Sequence, residues 1–224
     1  KGLKIGLQLW EKGKPVPPEA IEAAVLEGEV TLDSAGNAPY SVRSRHVRAM
    51  SGAPVRSELF RAFAFRRTKA GFYEPGTLED ITARCVVLNP DPGSVSVQIH
   101  GGEALAGRTV YLMTKHFYQF ATNHGPEAAN RFIEAIRAYR DIPFDGVALD
   151  EYSNLHLTAP WEMEKPDGVL RERTWSSAMA QEYAERYRRP LDRTLFDMRY
   201  APEGEPEVRM RAINTYMDTM RDGP

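Results

Sequence analysis

Ile5, Leu7 and Leu9 alternate with Lys4, Gly6 and Gln8, the period-two pattern of a strand whose C-terminal end carries Gln8 and Trp10. Pro17, Pro18 and Glu19 then open a short helix expected to run through Leu26, since proline is tolerated in a first helical turn. Glu29 to Leu32 and Tyr40 to Arg43 flank the turn Asp33 to Asn37 and read as an inserted hairpin. Ser57 to Thr68 carries Leu59, Phe60, Phe63 and Phe65 and predicts a strand that ends in Arg66 and Arg67. A second, peripheral hairpin follows from Ile81 to Leu88 and Ser94 to His100 around Asn89-Pro90-Asp91-Pro92-Gly93.

Arg108 to Met113 reads as a core strand ending in Thr114, Lys115, His116, Phe117 and Tyr118. Pro126 to Arg140 predicts a helix, with Ala129, Phe132, Ile133, Ile136 and Tyr139 on its core face. Gly146 to Leu149 is apolar at every position, as a strand covered on both faces requires, and it stops abruptly at Asp150 and Glu151. After Asn154 a loop leads to helices around Ser176 to Arg188 and Glu207 to Met220. Strand, helix, strand from Arg108 to Leu149 predicts a right-handed βαβ unit and a parallel sheet.

This order predicts an α/β protein, the N-terminal half or part of a (β/α)8 barrel. Residues 1–224 would form one domain with hairpins inserted near 29–48 and 81–100. A whole barrel takes about 250 residues or more, and the fourth core strand has already ended by Asn154, so the rest is expected beyond Pro224. A start at Lys1 without Met and an end on a helical pattern suggest the same, a piece of a longer polypeptide. The rival is an open doubly wound sheet. No glycine-rich phosphate loop follows any strand end, which argues against a nucleotide site.

A formal net charge of -2 supplies no field to steer nucleic acid, and the basic residues are interleaved with acids, so no nucleic-acid partner is expected. No apolar stretch approaches the roughly 20 residues of a membrane span, and no signal-peptide pattern opens the chain, so no membrane partner is expected either. The single cysteine, Cys85, excludes an intrachain disulfide and a cysteine zinc site, and its setting in Cys85-Val86-Val87-Leu88 reads as a buried strand residue.

The chemistry gathers at four strand ends that a barrel would bring together: Gln8 and Trp10; Arg66 and Arg67; Lys115, His116 and Tyr118; and Asp150, Glu151, Tyr152 and Asn154. Aromatic rings beside carboxylates and amides suit a sugar, whose C–H faces stack on rings while a carboxyl group protonates a departing glycosidic oxygen. Glycoside hydrolysis needs two carboxyl groups, and Asp150 and Glu151, being adjacent on an extended chain, point to opposite faces. Only one of them can enter the site directly, so a partner carboxylate is expected from elsewhere. Asp150, Glu151 and Asn154 could instead offer oxygen ligands to calcium, although the regular Asp-rich loop of an EF-hand is missing. His116 reads equally as a ligand contact or as a hydrogen-bonded structural histidine.

Gly6-Leu7-Gln8-Leu9-Trp10, Ala64-Phe65-Arg66, Gly71-Phe72-Tyr73, Leu78-Glu79-Asp80 and Phe144-Asp145-Gly146-Val147-Ala148-Leu149-Asp150-Glu151 together resemble large bacterial glycoside hydrolases related to the family 106 α-L-rhamnosidases. The resemblance implies a glycosidase barrel, a catalytic role for Glu151, no cofactor beyond a calcium ion, and a periplasmic or secreted location; with the strand-end chemistry the reading is a glycoside hydrolase acting on a poly- or oligosaccharide, Glu151 as general acid and Asp150 orienting its neighbours. Gln8, Trp10, Arg66, Lys115, His116, Tyr118, Tyr152 and Asn154 would then contact substrate. The alternatives are a non-catalytic carbohydrate-binding or sensor module and, less favoured, a sugar isomerase or lyase.

Overall fold

The computed structural model describes residues 6–9, 23–43, 54–118, 130, 133–134, 136–142, 146–149 and 169–222. Among these residues ten strands order themselves into three sheets. The largest holds β10 (Val169–Trp175), β2 (Ala23–Thr31), β8 (Thr109–Tyr118), β4 (Pro54–Phe65) and β5 (Glu79–Asp80), in that order. Every pairing within it is antiparallel. A second antiparallel sheet holds β3 (Asn37–Arg43), β7 (Ser94–His100) and β6 (Cys85–Asp91). The third pairs β1 (Gly6–Leu9) in parallel with β9 (Gly146–Leu149).

The large sheet is the middle of three layers. Side chains alternate across a strand, and on β8 this sends Tyr111 and Met113 one way and Val110 and Leu112 the other. Tyr111 and Met113 meet α1 (Ser177–Tyr187), α2 (Leu191–Arg199) and α3 (Glu207–Asp222) through Met179, Tyr183, Leu195, Phe196, Ala212 and Tyr216. Phe196 lies at the centre of this layer, its ring 5.2 to 5.7 Å from those of Phe63, Phe65, Tyr73, Tyr111 and Tyr200. On the other side Val110, Leu112, Ala62 and Ala64 pack against Ala38, Val42, Val95, Val97 and Ile99 of the small sheet.

These layers overturn the expected barrel. A (β/α)8 barrel, whole or half, alternates strands with helices in a parallel sheet, whereas β2 to β8 run antiparallel and neither sheet closes. Arg108 to Met113 lies in a core strand as expected, and its apolar run Val110 to Met113 is buried on both faces, with helices covering one face and a sheet the other. The expected helix through Leu26 is instead β2 from Ala23 onward, whose buried Ala23 to Leu26 is likewise covered on both sides. The βαβ unit is not formed, since β9 pairs with β1 rather than with β8. The first hairpin is corrected too: Asp33 turns the chain, its Oδ1 accepting from the amides of Ala35 (2.9 Å) and Asn37 (2.8 Å), but β2 and β3 join different sheets. Gly36 makes this crossover with φ 76°, against the backbone of Gly102.

The hairpin of β6 and β7 forms, but it is not peripheral, since Val95, Val97 and Ile99 are buried against the large sheet; Cys85, expected to be buried, is half-buried at its start, its thiol pushed up to about 11 by burial. Between Pro126 and Arg140 the described residues Asn130, Ile133, Glu134, Ile136 and Arg137 are helical, but Ile133, expected in the core, is 44% exposed.

Candidate functional site

The parallel pair is where the sequence expected chemistry. Gly6, Leu7, Gln8 and Leu9 stand opposite Gly146, Val147, Ala148 and Leu149 with no slip, so the chain leaves both strands at the same end. Trp10, Asp150, Glu151, Tyr152 and Asn154, which follow these strands in sequence, lie outside the described residues.

The remaining strand ends do not converge. Because β4 and β8 are antiparallel, Phe65 pairs with Thr109 and Pro54 with Tyr118. Arg66 therefore sits at the opposite end of the sheet from Lys115, His116 and Tyr118. The seven residue steps from Thr109 to His116 amount to about 23 Å at roughly 3.3 Å each. Arg66 is exposed, with Glu74 4.0 Å from its guanidinium, while Arg67 pairs with Glu29 at 3.0 Å. Lys115, His116 and Tyr118 belong to the strand itself, which runs on to Tyr118.

His116 is wholly buried on the small-sheet side of β8. Its Nδ1 is 2.8 Å from Ser57 Oγ and its Nε2 2.9 Å from Thr114 Oγ1. Ser57 Oγ also donates to the Pro92 carbonyl at 2.5 Å, which commits the hydroxyl proton away from the ring. Neutral imidazole with Nδ1–H donating to Ser57 and Nε2 accepting from Thr114 closes the network. Burial holds the imidazole at about 4. A serine and a histidine this close resemble a nucleophile and its base, but a base so weak, beside a serine whose proton is taken, ties β4, β8 and the β6–β7 turn together and does not activate a nucleophile.

Lys115 faces the helices. Its Nζ lies 3.2 Å from the Trp175 ring centroid and 3.7 Å from that of Phe60, and the two rings meet edge to face at 5.8 Å. The residue is 6% exposed, and both rings are partly buried. Burial pulls its ammonium down to about 8; Glu58 and Asp192 oppose that shift, while Arg61 and Arg56 add to it. Around it Arg56 lies 3.9 Å over the Phe117 ring and 3.7 Å from Glu58, and Arg61 meets Asp192 at 2.5 Å. Sequence reading named Lys115 but not Trp175, because Val169-Leu170-Arg171-Glu172-Arg173-Thr174-Trp175 is too charged to read as a strand.

A third polar cluster was missed altogether. Glu27 on β2 and Arg173 on β10 are both buried and joined by Arg173 Nε donating to Glu27 Oε1 at 2.7 Å. Among the described residues Glu27 Oε2 and Arg173 Nη1 find no hydrogen-bond partner, and the Tyr111 hydroxyl lies against the Glu27 carboxylate without a well-formed hydrogen bond. Burial and the Glu27 carboxylate raise the Tyr111 phenol. Nearby, Glu29 accepts from the Tyr200 hydroxyl. Among the described residues no group of three or more His, Cys, Asp or Glu side chains is arranged to hold a metal ion, and no helix is long and apolar enough to cross a membrane.

No protein-family model matches the chain, and neither a curated protein nor a solved structure matches it. Its reading therefore rests on its own residues.

Proposed function

We propose that this chain contributes to a glycoside-cleaving site at the end of the β1–β9 pair, with Glu151 as general acid. The observation that supports this reading is the in-register parallel pairing of Gly6–Leu9 with Gly146–Leu149. It sends the chain out of both strands at one end, and the next residues are Trp10 on one side and Asp150, Glu151, Tyr152 and Asn154 on the other. Ligands of parallel strands bind beyond their C-terminal ends. A carboxyl group there can give its proton to the glycosidic oxygen as the C–O bond breaks, and water completes the exchange at the anomeric carbon. Asp150 orients its neighbours, Gln8, Trp10, Tyr152 and Asn154 hold the sugar, and the second carboxylate comes from outside these residues. A periplasmic or secreted setting accompanies a polysaccharide substrate.

The test is Glu151→Gln in the full-length protein, assayed on alkyl glycosides and on glycosides with acidic aryl leaving groups. General acid catalysis is worth about 10²–10⁴-fold, so alkyl glycosides should lose turnover on that scale while acidic aryl glycosides, which need little protonation, lose much less. An equal loss on both would remove the acid role. Sugar binding without any hydrolysis by the unmutated protein would favour the binding module instead.

A further inference from the structure

We infer that Lys115, Trp175 and Phe60 form a binding site for a carboxylate carried on a ring, of the kind a uronic acid or an aromatic acid presents. The inference goes beyond the proposed glycosidase and does not rest on it. Its starting point is an ammonium that is mostly out of water yet makes no hydrogen bond and no ion pair among the described residues. A buried ammonium has three N–H donors to satisfy, and burying a charge is costly unless it is paired. Here the two aromatic faces supply only cation–π attraction, which satisfies none of the three N–H donors with an acceptor.

The neighbouring carboxylates are turned to other cations. Glu58 lies 3.7 Å from Arg56, and Arg61 lies 2.5 Å from Asp192 and 4.0 Å from Asp80, so none of the three is within ion-pair distance of the Lys115 ammonium. The backbone adds positive potential. Helix α1 begins at Ser177, two residues after Trp175, and has no acidic residue in its first turn to offset the positive end of its dipole. One carboxylate would complete the ammonium, and a ring behind that carboxylate would find apolar partners in the partly exposed faces of Trp175 and Phe60. The corner also lies where β2 begins and β8 ends, since Ala23 pairs with both Phe117 and Trp175. It is this end of the sheet that the chain joins, through 10–22 and 119–145, to the β1–β9 pair.

The experiment follows Lys115 itself. Protein with ¹³C-labelled lysine gives one side-chain signal per lysine, and that of Lys115 is the one missing from Lys115→Arg. Its pH midpoint is expected near 8 in the free protein. Glucuronate should raise it and glucose, the neutral counterpart, should not; benzoate reports whether an aromatic acid serves as well, and acetate at matched ionic strength reports whether any carboxylate does. A rise with glucuronate alone assigns a sugar acid, and a rise with benzoate alone an aromatic acid. Equal rises with acetate mean an adventitious ion only and overturn the site, as does a midpoint that no acid moves. Lys115→Met keeps the length of the stem without the charge and should weaken acid binding by roughly 10- to 100-fold, the worth of one charge-assisted hydrogen bond. Unchanged affinity in that variant, with its unfolding midpoint intact, would also overturn the proposal. No readout requires hydrolysis, so failure of the Glu151 reading leaves this one standing or falling by itself.

Discussion

Replacing Arg173 with Met should be among the most damaging single changes to this fold. Glu27 and Arg173 are 0% and 1% exposed, and their 2.7 Å hydrogen bond joins β2 to the edge strand β10. Removing the guanidinium strands a carboxylate beside the Tyr111 phenol with no other cation paired to it among the described residues. Two unit charges about 4 Å apart attract by about 4 kcal/mol at an effective dielectric constant near 20, and breaking one partner of a buried pair typically costs about 3–5 kcal/mol. A domain holds only about 5–15 kcal/mol in total, so the variant would lose a large part of its stability. The pair is nonetheless imperfectly served, since Glu27 Oε2 and Arg173 Nη1 lack hydrogen-bond partners among the described residues. The double variant Glu27→Leu/Arg173→Met, which removes both charges at similar volume, should therefore recover most of the loss. Urea unfolding of the wild type, both single variants and the double variant gives the cycle, with constant m-values showing that the same surface unfolds. A loss below about 1 kcal/mol in Arg173→Met, or a double variant as weak as the sum of the singles, would refute the argument.

Three further outcomes follow from particular residues. His116 has a folded-state midpoint of about 4, below the ordinary 6.5, so its contribution to stability is complete above pH 6.5 and is lost as the pH falls toward 4. The loss is on the order of 3 kcal/mol, and His116→Gln should flatten the pH–stability curve in that window; an unchanged slope would place the acid sensitivity elsewhere. Gly36→Ala combines φ 76° with a new methyl 1.8 Å from the Gly102 carbonyl oxygen, so it should cost more than the roughly 1 kcal/mol of backbone strain alone, read as a lowered urea midpoint. Val86, Val87 and Leu88 are 51%, 44% and 43% exposed on β6, an edge strand, so Val87→Lys should slow aggregation on heating, measured by light scattering, without lowering the thermal midpoint.

The individual strands were more legible than their arrangement. Gly146–Leu149 and Gly6–Leu9 stood out because unbroken or alternating apolar tetrapeptides have few other uses, and their pairing follows the parallel pattern those sequences suggest. Strand β7 was equally plain, its Val95, Val97 and Ile99 turned inward and the residues between them outward. Direction was not legible. A strand buried on both faces shows the same run of apolar residues whether helices cover both sides or a helix layer and a sheet cover one each, and Val110 to Met113 satisfies either. Glu27 was hidden for a related reason: it follows the expected helix through Leu26 as a lone acidic residue, whereas its burial depends on Arg173, 146 residues away. No local pattern announces a partner at that distance.

Lys115 and His116 show why burial alone does not mark a functional residue. They are neighbours on β8, so they point to opposite faces, and burial lowers both midpoints, to about 8 and about 4. Their hydrogen bonds separate them. Both ring nitrogens of His116 are engaged, by Ser57 and Thr114, and the network it belongs to is closed; nothing further can bind it without breaking a bond already made. Lys115 has rings around its charge and, among the described residues, no acceptor for its protons. A histidine near 4 is neutral in ordinary buffer and contributes order, while a lysine near 8 is still mostly charged at neutral pH and retains the means to hold an anion. The expectation that both would touch substrate treated adjacent polar residues at a strand end as one group. The pleat separates them, and only the residue whose donors remain open can act on a ligand.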